Sequence, residues 1–64
     1  MNAAVLEREL NDRVLQLKGL VLVRALLENR GASATELAAH SKEIARVRAE
    51  LAQLVNTRTE RAAA

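Results

Sequence analysis

Apolar side chains recur along most of this chain at three- and four-residue steps, the spacing of helices. They fall in two blocks on either side of one break. In the first block Leu6, Leu10, Val14, Leu17 and Val21 form one stripe at ~100° per residue. Leu15, Leu22 and Leu26 form a second stripe about a third of a turn away. Leu20, Val23 and Leu27 close the remaining side near the break. In the second block Leu37, His40, Ile44, Val47, Leu51 and Leu54 keep strict 3-4 spacing and make one narrow seam.

The break is the stretch Asn29-Arg30-Gly31-Ala32-Ser33. Gly31 suits the position just past a helix, where a left-handed backbone is cheap only for glycine. Ser33 and Glu36 are spaced as a capping box: the hydroxyl accepts from the third helical amide, and the carboxylate reaches back to the Ser33 amide. The pattern predicts helix 1 over about 3–29, a loop at 30–33, helix 2 over about 34–57 and a frayed tail at 58–64. A link this short turns the helices antiparallel. The predicted fold is all-α, a single antiparallel two-helix hairpin, expected to assemble as a homodimeric four-helix bundle.

The expectation of assembly rests on a surplus. Helix 2 offers one seam, so it covers one stripe of helix 1. The first block, above all Gly19–Leu27 with Arg24 as its one charge, is apolar on every side, and such a helix is normally buried on every side. The intra-hairpin core is assigned to Leu6, Leu10, Val14, Leu17, Val21, Leu37, Ile44, Val47, Leu51 and Leu54. The partner-binding surface is assigned to Leu15, Gly19, Leu22, Val23 and Leu26. Gly19 costs ~1 kcal/mol against alanine inside a helix, and its missing side chain would let a second backbone approach. The partner is a second copy or the helix of another protein.

Composition narrows the rest. Sixty-four residues are near the lower limit for burying a self-sufficient core. There is no cysteine, hence no disulfide framework or thiolate metal site. The apolar run is about half the ~20 residues of a membrane span, and the first ten residues do not read as a signal peptide. A cytoplasmic protein is expected. The net charge of +2 comes from interspersed residues, ten basic and eight acidic. Lys18, Arg24, Lys42, Arg46 and Arg48 could meet phosphates, as in a Rop-like plasmid regulator, a short helical hairpin that dimerises and binds RNA. Glu7, Glu9, Glu43 and Glu50 dilute that field, and no aromatic can stack on a base. A solvated mixed-charge face is the favoured reading, with Arg46 and Glu50 paired across one turn.

No catalytic constellation emerges, and no cofactor or metal is expected. His40, the only histidine, has Glu36 and Glu43 within one turn, but no second histidine completes a metal cluster. It reads as a partly buried histidine bonded to one of those carboxylates. Ser33 is a cap, and Ser41, adjacent to His40, does not face it.

From the loop onward, the stretch RGASATELAAHSKEIARV resembles the Spo0E-like aspartyl-phosphate phosphatases, small antiparallel hairpins that act on a response regulator. Gly31, Ser33, Glu36, Ser41, Glu43 and Ile44 fall in matching register, over about a third of the chain. The resemblance implies an acidic residue central to phosphatase action where this chain has Ala45. Short co-chaperones of type III secretion needles share the hairpin outline. The functional expectation is a helical protein–protein interaction module: a small regulator, adaptor or chaperone-like subunit.

Overall fold

A computed structural model describes residues 2–63. Two helices, α1 (Ala3–Asn29) and α2 (Ala34–Ala63), form an antiparallel hairpin about 48 Å long and 15 by 13 Å across. The chain therefore enters and leaves at one end, and the turn lies at the other.

Local chemistry fixes each helix end. Asn2 is extended and its side-chain oxygen accepts from the Val5 amide at 2.9 Å, capping α1. At the far end Gly31 takes a positive φ of 78°. Its amide donates to the Glu28 carbonyl and the Ala32 amide to the Leu27 carbonyl, both at 3.0 Å. These two bonds are a Schellman stop, which satisfies carbonyls that α1 would otherwise leave bare. Ser33 then opens α2: its hydroxyl accepts from the Glu36 amide at 3.2 Å. The reciprocal half of the expected capping box does not form among the described residues. The Glu36 carboxylate stays in solvent in the first turn, where it still complements the helix dipole.

The tail departs from expectation. Residues 58–63 continue α2 instead of fraying. Nothing in Thr57-Arg58-Thr59-Glu60-Arg61 breaks a helix. Arg58 reaches Glu7 on α1 at 3.0 Å, tying the last turns of α2 to the first turns of α1. Ala64 lies outside the described residues.

The seam on α1 runs through Leu6, Leu10, Arg13, Leu17, Leu20, Arg24 and Leu27, each buried or half-buried. Val14 and Val21, expected in the core, are 36% and 43% exposed. The cause is geometric. The stripe Leu6-Leu10-Val14-Leu17-Val21 advances by about 3.75 residues per step, whereas two long helices in continuous contact share a seam of about 3.5. The stripe drifts off that line, and Arg13, Leu20 and Arg24 take the vacated positions. On α2 the seam is Leu37, His40, Ile44, Val47, Leu51 and Leu54.

Only four hydrophobic side chains are buried among the described residues: Leu6, Leu10, Ile44 and Val47, the last completely. Leu17, Leu37, Leu51 and Leu54 are half-buried. Truncation should sort the leucines of α1 accordingly. Leu10→Ala is expected to cost about 2–3 kcal/mol in urea unfolding of dilute protein. Leu15→Ala, at a position 67% exposed, should stay within about 0.5 kcal/mol.

Candidate functional site

The surface of the hairpin divides into three regions. The first is a charged face along one edge of the seam. Arg13 Nε donates to Glu50 Oε2 at 2.8 Å, from α1 to α2, and its NH2 group lies 3.6 Å from Glu9. Glu50 also accepts from Arg46, which is shared with Glu43 through a second ion pair. Five side chains thus form one alternating chain, Glu9-Arg13-Glu50-Arg46-Glu43. Arg46 beside it holds the Glu43 carboxyl below its ordinary value, chiefly through hydrogen bonding. The Arg46 guanidinium is held correspondingly above its own.

This network reassigns residues the sequence reading treated separately. Glu43 is engaged by Arg46, and His40 makes no hydrogen bond to Glu36 or Glu43 among the described residues. His40 is half-buried on the seam, and no cluster of potential metal ligands forms among the described residues. Of the five basic residues that could meet phosphates, two are already occupied. Arg46 is clamped between carboxylates, and Arg24 donates to Ser41 at 2.8 Å and to Glu28 at 3.0 Å. In the segment resembling the phosphatases, Ser41 is this acceptor, Ile44 is buried and Ala45 is exposed.

The second region is a shallow apolar groove on the opposite edge of the seam. It is lined by Leu17, Val21, Leu22 and Ala25, with Lys18 and Arg48 at its rims, and has a volume of about 460 Å³. The displaced Val21 belongs here.

The third region is the back of α1, turned away from α2. Leu15, Leu22 and Leu26 are 67%, 60% and 48% exposed, and Val23 is 43% exposed. Gly19 lies among them, and a methyl group placed on it would meet nothing within 4 Å. The hairpin's own packing therefore does not require glycine there. Six of the seven large hydrophobic side chains exposed among the described residues are on α1; the other is Val55 on α2. Leu20 and Leu27 are half-buried on the seam, not on this back.

Sequence reasoning missed the two seam arginines. The signal was available: Leu6, Leu10, Leu17, Leu20 and Leu27 keep a seven-residue register that passes through Arg13 and Arg24. No helix among the described residues is long and apolar enough to cross a membrane. Comparison with known protein families, curated proteins and solved structures finds no match.

The charged face should respond to acid. Glu43 has a depressed folded-state pKa, so its stabilising contribution is complete above the ordinary value of 4.5. It is lost as pH falls below that value and through the folded one. Arg46, raised above its ordinary value, stays charged across the acid range and contributes evenly there. As pH falls from neutral through 4.5 and below, wild-type protein should lose more of its urea resistance than Glu43→Gln, with the two converging at the acid end.

Proposed function

We propose that this chain is a cytoplasmic protein–protein interaction module, a small regulatory, adaptor or chaperone-like subunit that works by helix packing in an oligomer. Its working surface is the back of α1, with Leu15, Leu22 and Leu26 as anchors, Val23 beside them and Gly19 permitting close approach. The observation that carries this reading is the exposure of those leucines at 48–67% on a helix whose other side is already packed.

The physical argument is one of cost. Fully burying one leucine is worth about 2 kcal/mol, and three anchors in a row leave several kcal/mol unrealised in a lone hairpin. Exposed single leucines are ordinary; a contiguous row at helical spacing marks a contact surface. Helix-on-helix docking uses this arrangement of anchors one and two turns apart. Of the five basic residues that phosphate binding would draw on, Arg24 and Arg46 are engaged by intrachain carboxylates. Chemistry on a substrate would need a group poised to react, and the charged side chains of the network are matched to one another.

Leu22→Glu tests the surface. The side chain is 60% exposed, so far-UV circular dichroism of the dilute variant should match the wild type. Association, whether with itself or with a partner, should weaken at least about 100-fold, equivalent to about 2.7 kcal/mol, because a carboxylate would be forced into an apolar contact. A folded variant with unchanged sedimentation and unchanged partner binding would overturn the assignment.

A further inference from the structure

Resting on that reading of the α1 back, we infer that its occupant is a second copy of this chain, with the two α1 helices antiparallel and related by a two-fold axis through the Leu20–Val21 peptide.

The first observation is the register. Leu15, Gly19, Leu22 and Leu26 are spaced by four, three and four residues, so they occupy successive core positions of a helical pair. The spacing reads the same in both directions. Turned end for end about its centre, Leu15 faces Leu26 of the second copy, and Gly19 faces Leu22. Large side chains meet at the outer layers, and in each inner layer a leucine projects over a glycine. That use of Gly19 explains a residue the hairpin itself does not need, since its Cβ position is empty within 4 Å. In the same register Asp12 comes opposite Asn29 and next to Arg30 of the second copy, so the ends are polar and of opposite charge. Asp12 and Arg30 have no ion-pair partner within their own hairpin among the described residues. No like charges are brought face to face.

The second observation is area. A folded monomer of 7.0 kDa is expected to expose about 4,000 Å², whereas this hairpin exposes 4728 Å². The excess, about 700 Å², is close to the ~800 Å² that each partner buries in a standard interface. The geometry also permits the contact. The back of α1 faces away from α2, so two hairpins meet along residues 12–29, about 27 Å of helix, without their second helices colliding. The result is four helices side by side, with the two α1 helices innermost.

The chain has no native cysteine, which makes the register directly readable. Asp12→Cys and Asn29→Cys are both exposed substitutions. They would be prepared separately, checked for helicity, mixed, and treated with a thiol cross-linker about 10 Å long, one helix diameter. The two sites face each other across the proposed pair, whereas like sites are about 25 Å apart along the axis. The mixed Asp12→Cys/Asn29→Cys product should exceed each like–like product at least tenfold, and Leu22→Glu placed in both chains should abolish it. A wild-type dimer whose like–like products equal or exceed the mixed one would overturn the antiparallel register while leaving the interaction surface intact. A wild-type chain that sediments as a monomer at every concentration up to about 1 mM would overturn self-pairing altogether. In that case the Leu22→Glu measurement against a different partner decides the broader reading.

Discussion

The seam between two helices is narrow, and everything else in this molecule follows from that width. A single partner helix shields roughly one stripe of α1, and four buried side chains are what the hairpin achieves by itself among its described residues. A third helix or a sheet would have supplied a second covering layer. Here the hairpin supplies no such layer: Leu6 and Leu10 are buried against α2, while Leu15, Leu22 and Leu26 stay exposed on the other side of α1.

The seam also carries polar cargo. Arg13 and Arg24 occupy positions that a simpler hairpin would fill with leucine, and each donates a hydrogen bond to an acceptor at the edge of the contact. Their guanidinium groups lie at the surface while their stems cross the seam, so the apolar contact is bridged and not interrupted. Each partly exposed pair is worth little, about 0–1 kcal/mol. Their greater effect is on alignment. A one-turn slip of α2 along α1 would leave Arg13 without Glu50 and Arg24 without Ser41. The apolar residues alone, being similar in size and evenly spaced, discriminate less well between such registers.

How much of this was legible in the sequence depended on how local the determinant was. The turn was legible except for the Glu36 half of its cap, because Gly31 and Ser33 act on backbone groups three residues away. The seam of α2 was legible because its apolar residues keep one spacing throughout. The seam of α1 was only partly so. A helix apolar all round offers several stripes of similar merit, and periodicity alone does not rank them. The choice is made by α2, whose continuous contact demands the seven-residue register and admits Arg13 and Arg24 while displacing Val14 and Val21. Continuation of α2 to Ala63 was hidden for a related reason: the ion pair between Arg58 and Glu7 spans most of the sequence. The leucine row on the back of α1 was visible as surplus, since no feature of α2 could reach it.

Asn2 and Ala63 lie at the end of the rod remote from Gly31. Any sequence joined before Asn2 and after Ala63 would therefore meet at a common base, with the hairpin standing out as a spike about 48 Å tall. Such a spike could be grafted into a surface loop of an unrelated protein with its turn pointing outward and its leucine row presented sideways along the shaft. The topology makes the hairpin portable, since its points of attachment lie apart from the exposed leucine row.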